Sequence, residues 1–332
     1  MLVSIVMAVY NGQEYLQEAV DSILCQTYTG FELIIINDAS TDRTRELLAQ
    51  ITDKRVKVIH LEENKGAAFA LNLGIEKAKG KWIAVHDADD LSYPWRIEKQ
   101  IDYLNKHRDL VAAGSFIECI PGRKDHIPKQ NISGLEKLIN RVQTSEEIKL
   151  ELYRTCPLTH GTMIYSKKAF INLGKYNSDL KISYDYDLWT RLITVGKIKK
   201  IPEKLYKYRM HSNSLTTKNQ LQNIKEMFFS CAKYIRNTRY KKHKERPVML
   251  VFGPTYYARN FSLQAKKYLN VVKIIDNNEI SLLPLIITLL KQKKLDGVVL
   301  LSNFKYRDSV FNYLIKHGLK LNADFFEFWI WF

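Results

Sequence analysis

Three carboxylates follow directly on a short apolar run in the first third of this chain. Asp87, Asp89 and Asp90 come after residues 82–85, Trp-Ile-Ala-Val, as at a buried strand that ends in a polar turn. Carboxylates this close repel one another, so they stay ionised together only beside a divalent cation, a basic partner or open water. Acids at the carboxyl end of a strand suit a site for a metal ion and a phosphate. The alternative is an Asx-rich turn that merely ends the strand.

A second group of polar residues lies between residues 184 and 211. Asp185 and Asp187 precede an apolar pair, as expected at a helix start, where acids compensate the helix dipole. Alternatively, Asp185 points into a cleft and removes a proton from a hydroxyl nucleophile. Arg209 and His211 offer a charged donor and a metal ligand, although a lone histidine is more often a structural hydrogen-bonding residue.

Two further turns offer contacts to a nucleotide. Asp38 ends the second predicted strand, where a carboxylate can accept hydrogen bonds from the edge of a nucleobase. Residues 40–42 are assigned instead to capping the next helix. Lys65 and Gly66 precede an Ala-rich helix, so the lysine and the backbone amides can face a phosphate.

The elements that must position these turns alternate regularly through residue 110. We predict helices at 14–24, 42–51 and 67–78, and strands at 3–9, 32–36, 56–61 and 82–85. This alternation predicts an α/β fold with a mostly parallel central sheet covered on both faces. Because right-handed crossovers put the carboxyl ends of such strands on one edge, four turns should converge on one ligand: residues 10–12, 37–40, 62–66 and 86–90.

The rest of the chain predicts two further units. Residues 111–215 are less regular, with a helix predicted at 145–153, and can hold a second substrate. Residues 216–246 indicate a basic helical linker, and a new alternation then predicts a small Rossmann-like α/β domain over 247–332. In that domain Thr255 replaces the central glycine of a dinucleotide-binding turn, so a structural or partner-binding role is favoured.

The chain of 332 residues carries a formal net charge of +16, and most of that charge lies in one segment. Residues 191–246 hold 16 Lys and Arg against 3 Glu. Such a segment fits a phosphorylated substrate, an anionic membrane surface or nucleic acid. A solvated basic helix is the alternative.

Cysteine usage and hydropathy point to a protein of the reducing cytosol. The four cysteines are scattered and form no CxxC pair, which argues against a zinc site and a disulfide framework. The apolar runs at 2–9 and 282–290 are too short to span a bilayer, and the first lacks the basic flank of a signal peptide. We therefore expect neither a signal peptide nor a transmembrane segment.

Taken together, the motifs resemble those of the family 2 glycosyltransferases in order and spacing. The resemblance covers residues 1–215 and is carried by these motifs: VMAVYNG at 6–12, INDASTD at 36–42, NKG at 64–66, ALNLGI at 70–75, AKG at 78–80 and DADD at 87–90. Three later motifs resemble the acceptor half of the same family: HG at 160–161, DYDLW at 185–189 and YRMH at 208–211.

The resemblance implies a GT-A fold, a nucleotide-diphosphate sugar donor with UDP favoured, a divalent cation (Mn²⁺ or Mg²⁺) and inversion at the anomeric carbon. The donor half would be residues 1–110 and the acceptor half residues 111–215. Asp185 would be the catalytic base, and Asp89 and His211 would bind the metal ion. The implied donor-binding residues are Ala8, Val9, Tyr10, Asn11, Asp38, Lys65, Gly66, Asn72, Asp87 and Arg209, and the implied acceptor-side residues are His160, Asp187 and Trp189.

The chain departs from the family pattern at three positions. Ala39 stands where the family often has glycine, which is tolerable if the turn stays out of the left-handed region. Leu71 stands where the family often has Arg or Lys, so Lys65 would have to supply a diphosphate contact. Tyr184 replaces the usual Glu before the catalytic Asp, which affects the tuning of Asp185.

These features favour a cytoplasmic, metal-dependent, inverting glycosyltransferase of surface-polysaccharide synthesis, such as capsule or lipopolysaccharide, with a glycan or lipid-linked acceptor. Its basic residues 191–246 would dock on the inner face of the plasma membrane. The sequence does not decide between a monomer and a homo-oligomer. One alternative is a non-catalytic nucleotide-sugar-binding protein. A basic nucleic-acid-binding protein is less favoured, because the acids cluster where a phosphate backbone would be repelled. No nucleic acid partner is therefore expected.

Overall fold

The computed structural model describes residues 1–276 and 279–330 and divides into two compact units. The first unit comprises Met1–Ile148 and Pro157–Asn219, and the second comprises Lys149–Cys156 and the chain from Gln220 onward. Among the described residues, no helix is both long and apolar enough to cross a membrane.

The first unit opens with the strand and helix alternation expected from the sequence. Its first elements are β1 (Val3–Val9), α1 (Leu16–Leu24), β2 (Phe31–Asn37), α2 (Thr44–Ala49), β3 (Val56–His60), α3 (Ala67–Lys77) and β4 (Trp82–Val85). There follow β5 (Leu91–Ser92), α4 (Arg96–Lys106), β6 (Leu110–Pro121), α5 (Lys129–Ile139), α6 (Ser145–Glu151), a 3-10 turn (His160–Thr162), β7 (Ile164–Ser166), α7 (Lys167–Asn172), α8 (Tyr184–Leu192), β8 (Lys197–Met210) and α9 (Leu215–Lys218).

The eight strands of the first unit form one sheet in the order β3-β2-β1-β4-β7-β6-β8-β5. The first four strands of that order are parallel, β7 is antiparallel to both neighbours, β6 and β8 are parallel, and β5 is antiparallel. This mostly parallel sheet confirms the predicted α/β fold. β1 and β2 are almost continuously apolar because helices cover the sheet.

The strand register brings the predicted turns to one edge of the sheet. Val9 of β1 pairs with Asn37 of β2, and Asn37 pairs with His60 of β3. These three strands therefore end at the same level. The backbone N–H of His86, just after β4, donates to Val6 of β1 at 3.1 Å, so the acidic turn follows at the same edge.

The second unit has a four-stranded, fully parallel sheet in the order β10-β9-β11-β12. Its elements are α10 (Gln220–Thr238), β9 (Val248–Phe252), α11 (Thr255–Ala265), β10 (Asn270–Ile275), a 3-10 turn (Ile280–Leu282), α12 (Leu283–Lys291), β11 (Gly297–Leu301), α13 (Arg307–Lys316) and β12 (Phe325–Phe328). This arrangement confirms a small Rossmann-like domain. The sequence analysis did not predict β12, a strand of only four residues that is buried throughout.

The second unit also includes segments that precede its sheet in the chain. Most of the predicted basic linker is α10, which packs on α11 through the rings of Phe228 and Phe261, 5.3 Å apart. Residues 149–156 are tied to β12 by a guanidinium of Arg154, which donates to the fully buried Glu327 at 2.7 Å. The functional division of the chain into donor half, acceptor half and linker stays a prediction.

Candidate functional site

The turns that follow β1 and β2 are hydrogen-bonded to each other. The backbone N–H of Asn11 donates to Ser40 Oγ at 2.9 Å, and the N–H of Thr41 donates to Asn11 Oδ1 at 2.8 Å. The N–H of Gly12 donates to Thr44 Oγ1 at 2.8 Å. Asn11 has a φ of 53°, a conformation that asparagine adopts more readily than most residues. Asn11 therefore joins the two turns.

The three residues at the end of β1 differ in exposure. Val9 is buried in the core, and its carbonyl accepts the N–H of Asp38 at 2.9 Å. Its side chain therefore cannot line a donor pocket, which corrects part of the prediction. Ala8 is partly exposed and Tyr10 is half exposed, so both can contact a ligand at this edge.

Asp38 connects β2 to the turn that follows β3. Its carboxylate accepts the backbone N–H of Lys65 and that of Gly66, each at 2.8 Å, and it is almost fully buried. The Lys65 ammonium forms an ion pair with Glu63. The predicted residues Asp38, Lys65 and Gly66 thus lie together, and the carboxylate orders the turn through backbone amides.

Ala39 lies in the left-handed region, with a φ of 56°. The condition under which alanine is tolerated here without strain, a turn that stays out of that region, is therefore not met. The turn is held by Asn37, whose Oδ1 accepts the N–H of Ser40 at 3.1 Å and whose Nδ2 lies 3.0 Å from His60 Nδ1. A non-glycine residue in this region costs on the order of 1 kcal/mol, and this network maintains it. The sequence analysis missed His60, which is the last residue of β3 and pairs with Asn37.

Two carboxylates of the acidic turn each face a histidine from the later part of the unit. Asp87 Oδ1 lies 2.8 Å from His160 Nδ1, and Asp89 Oδ2 lies 2.9 Å from His211 Nε2. Burial opposes ionisation of Asp87, but the imidazole of His160 holds the pKa of Asp87 below its usual value. The structure therefore brings together four of the predicted residues as two pairs, each more than 70 residues apart in sequence. Only Asp89 and His211 had been assigned a shared role, that of binding the metal ion.

The third carboxylate, Asp90, is buried and acts on the backbone. Its Oδ1 accepts the N–H of Arg209 at 2.6 Å, and burial together with Asp89 and Asp87 raises its pKa well above the usual value. The Arg209 guanidinium donates to the carbonyl of Asp89 at 2.8 Å and to Glu18 at 2.7 Å. Arg209 is itself buried and fixes the acidic turn, and its contact with a donor stays a prediction.

A buried arginine that the sequence analysis missed lies beneath the acidic turn. Arg96 is fully buried and donates to the carbonyl of Val85 at 2.9 Å and to Ser92 Oγ at 3.0 Å. Burial lowers its pKa to about 10, so it stays cationic at neutral pH. The signal was available, because Arg96 shares the buried face of α4 with Gln100 and Leu104. Clustered carboxylates need a divalent cation, basic partners or water to stay ionised together. In this fold Arg96, His160 and His211 are basic partners of the acidic turn.

The residues that could hold a metal ion are Asp89 and His211. The His211 side chain is 7% exposed and its Nδ1 is buried without a partner, while Asp89 is 37% exposed and so accessible. Within residues 1–276 and 279–330, no group of three or more His, Cys, Asp or Glu residues is arranged to bind a metal ion. An oxygen and an imidazole nitrogen side by side suit a divalent cation whose other ligands come from substrate and water.

Asp185 lies in the first turn of α8 and is partly exposed. Burial raises the pKa of Asp185 to about 6, although His160 acts in the opposite direction. The ring of Tyr184, which replaces the usual Glu, lies edge-on to His160 at 5.6 Å and to Tyr176 at 5.3 Å. Aromatic packing therefore fixes the start of α8 in this chain.

Three predicted contact residues are packed or hydrogen-bonded within the protein. Asp187 is fully buried and accepts from Arg191 Nε at 2.9 Å, and Trp189 is fully buried in the core. Neither side chain can reach an acceptor, which corrects the prediction. Asn72 donates through Nδ2 to the carbonyl of Tyr176 at 2.9 Å and accepts that residue's N–H at 3.0 Å. Its amide therefore joins α3 to the segment before α8, and its contact with a donor stays a prediction.

Comparison with solved structures identifies the class of this fold. The chain resembles the Staphylococcus aureus protein TarS (residues 1–349), solved in complex with UDP-GlcNAc, with a TM-score of 0.57 and 19% identity over 71% of this chain and 67% of TarS. It also resembles the mannosyltransferase PcManGT from Pyrobaculum calidifontis, solved with GDP-Man and Mn²⁺, with a TM-score of 0.53 and 16% identity over 79% of this chain and 68% of that chain. These similarities show a GT-A-like fold.

Sequence similarity establishes the family. Residues 4–174 match the family model described as Glycosyl transferase family 2. The Rickettsia prowazekii (strain Madrid E) glycosyltransferase RP339 is 32% identical over 277 residues, which cover 80% of this chain and 80% of that relative. The chain belongs to glycosyltransferase family 2, and it is a glycosyltransferase.

Proposed function

We propose that this enzyme transfers a sugar, with inversion, from a nucleotide-diphosphate donor to a hydroxyl of a glycan or lipid-linked acceptor. The observation that carries the proposal is the position and pKa of Asp185. This carboxylate lies in the first turn of α8, where His160 acts on it electrostatically, and His160 contacts Asp87 of the acidic turn. One imidazole thus influences the candidate base and contacts the candidate donor-binding turn.

Asp185 has the properties of a general base near neutral pH. Because its pKa is about 6, it is mostly ionised at pH 7 and more basic than an ordinary aspartate. In the proposed step its carboxylate accepts the proton of the acceptor hydroxyl as that oxygen forms a bond to the anomeric carbon. The bond from that carbon to the diphosphate breaks on the opposite face, and a single displacement inverts the configuration.

Asp89 and His211 would hold the divalent cation, for which we propose Mn²⁺ or Mg²⁺. When bound, such a cation neutralises charge on the diphosphate leaving group. The support is the accessible Asp89 carboxylate beside the buried His211 ring, and the similar PcManGT was solved with Mn²⁺.

We place the nucleotide at the turns after β1, β2 and β3, in residues 1–110, and the acceptor in residues 111–215. Tyr10 is half exposed at this edge and can stack on a base. UDP-sugars are favoured as donors because TarS was solved with UDP-GlcNAc, while PcManGT was solved with GDP-Man.

We further propose that the enzyme acts in the cytoplasm in surface-polysaccharide synthesis and associates peripherally with the inner face of the plasma membrane. The basic residues 191–246 support the membrane part of this proposal. For the second unit we propose a structural or partner-binding role, which includes formation of a homo-oligomer.

The proposed function is tested with a panel of nucleotide-diphosphate sugars. The thermal midpoint of the full chain is measured with each donor, with and without Mn²⁺, and transfer is followed as release of the nucleotide diphosphate. We expect one donor class to raise the midpoint, more so with Mn²⁺, and to be consumed. Asp185→Asn should keep the donor-induced shift and lose transfer. Undiminished transfer by Asp185→Asn would exclude Asp185 as the base, and stabilisation of the wild type without turnover would favour a non-catalytic binding protein.

A further inference from the structure

Tyr176 is a buried residue that is hydrogen-bonded at its side-chain hydroxyl and also at its backbone. It is 2% exposed, and its hydroxyl lies 3.1 Å from His160 Nε2 and 2.8 Å from the hydroxyl of Tyr165. At the backbone, the amide of Asn72 bonds both its N–H and its carbonyl. The position of the Tyr176 hydroxyl is therefore fixed by α3, by β7 and by the 3-10 turn that carries His160.

His160 is the residue that the Tyr176 hydroxyl orients. Its Nε2 faces Tyr176, and its Nδ1 lies 2.8 Å from Asp87 Oδ1. The ring also meets Tyr184 edge-on, at an interplanar angle of 89°, and Tyr184 immediately precedes Asp185. His160 thus lies between the carboxylate proposed for donor binding and the carboxylate proposed as the base.

We propose that Tyr176 is a positioning residue for sugar transfer, whose hydroxyl holds the His160 ring in the orientation that contacts Asp87 and faces Asp185. The inference rests on the proposed function of this site. A phenolic hydroxyl can either donate to or accept from an imidazole nitrogen, so the contact persists whether or not His160 is protonated. A phenylalanine would fill the same space and could do neither.

Loss of the hydroxyl has a predictable electrostatic consequence. Burial lowers the pKa of His160, but Asp87 more than offsets this effect, so the pKa is raised overall. Without Tyr176 as acceptor, a protonated Nε2 would be a buried donor with no partner, which disfavours the imidazolium form. A smaller positive charge at His160 lets the pKa of Asp185 rise further. The titratable and charged groups that face His160 and Asp185 are Asp87, Arg96, Tyr176 and Tyr184.

The test compares Tyr176→Phe with Tyr165→Phe. Both variants lose one hydroxyl from the same buried aromatic cluster, but the Tyr165 hydroxyl bonds Tyr176 and not His160. With UDP-GlcNAc and Mn²⁺ as the first probe and GDP-mannose as the second, kcat/KM of Tyr176→Phe should fall about 10- to 100-fold. The acid limb of its pH profile should move to higher pH. Tyr165→Phe should keep the wild-type profile.

A second readout does not depend on turnover. NMR titration of the imidazole signals, with His160 identified by its absence in His160→Gln, should show a lower His160 pKa in Tyr176→Phe and an unchanged one in Tyr165→Phe. If Tyr176→Phe does not fold, Asn72→Ala, which frees the Tyr176 backbone, should shift the profile in the same direction.

The outcomes separate the two proposals. If the wild type consumes neither donor, the proposed function fails for those donors, and the NMR titration alone decides the role of Tyr176. If the wild type is active and the two Phe variants share one pH profile and one His160 titration, the positioning role is overturned. A loss of rate without any change in the profile or the titration would indicate a structural role only, and would also overturn it.

Discussion

Asp185 and Asp187 are two carboxylates on one turn of α8 that occupy opposite electrostatic surroundings. Asp187 is fully buried but forms an ion pair with Arg191. For Asp185, by contrast, burial outweighs the attraction of His160, and its pKa is raised to about 6. The cost of keeping Asp185 ionised is expected at a functional position. The local sequence shows the partner of Asp187, since Arg191 lies four residues later on the same helix. It could not show the pKa of Asp185, because that depends on burial and on His160 from another segment.

We predict that Asp185→Asn stabilises the fold at neutral pH. The pKa of the wild-type carboxyl is raised in the folded state. Its favourable contribution to the free energy of unfolding is therefore complete below about pH 4 and is lost as the pH rises through about 6. An asparagine does not titrate. A shift of about 2 pKa units corresponds to roughly 3 kcal/mol, so the thermal midpoint of Asp185→Asn should exceed the wild-type value at pH 7.5 and lose that advantage at pH 4.

Asp187→Asn is the matched control for this prediction. It removes the same charge two positions away, but it leaves Arg191, whose side chain is only 15% exposed, without its carboxylate, and breaking such a pair costs about 3 kcal/mol. The midpoint of Asp187→Asn should therefore fall at pH 7.5. If both variants shift in the same direction, the opposite surroundings inferred for the two carboxylates are incorrect.

At the scale of elements, the alternation of strands and helices predicted where the turns lie but not what holds them. Strand order and register follow from apolar runs and crossover handedness, so the turns after β1 to β4 were predictable. Their contacts were not, because Asp38 bonds residues 27 and 28 positions away and Asp89 bonds one 122 positions away. Tyr176 was missed for the same reason, since it belongs to no local motif, whereas the buried face of α4 did offer a local signal for Arg96.

The turn after β2 gives a prediction about backbone strain. Ala39 has a φ of 56°, where glycine carries no steric penalty. Ala39→Gly should remove that steric penalty in the folded state. Because glycine also raises the conformational entropy of the unfolded chain, the net stabilisation should be at most about 1 kcal/mol. Unfolding in urea would measure it.

Ala49→Gly provides the same substitution in a different backbone setting. Ala49 is the exposed last residue of α2, where glycine costs up to about 1 kcal/mol relative to alanine. The two variants should therefore differ in sign. Destabilisation of equal size at both positions would show that Ala39 is not strained.

At the scale of the whole molecule, the basic segment is not one surface. Residues 191–219 belong to the first unit and residues 220–246 to the second. Within the first unit, Lys200 and Arg209 are buried, and Arg191 pairs with Asp187. The sequence count of positive charge therefore overstates what a partner can meet. The exposed part includes residue 239 and residues 241–246, which follow α10 and carry five Lys and Arg against one Glu.

If the enzyme docks on an anionic membrane, these exposed residues should contribute most of the attraction. Each basic residue near such a surface contributes about 1 kcal/mol, and the effect is screened by salt. We predict that the full chain co-sediments with vesicles that contain anionic lipid, that binding falls steeply with added salt, and that Lys241→Glu with Lys242→Glu abolishes it. Lys54→Glu with Lys57→Glu, an equal charge change at exposed positions of the first unit, should retain most of the binding. Equal losses in both double variants would mean that net charge alone drives association, and binding that is indifferent to salt and to anionic lipid would refute electrostatic docking.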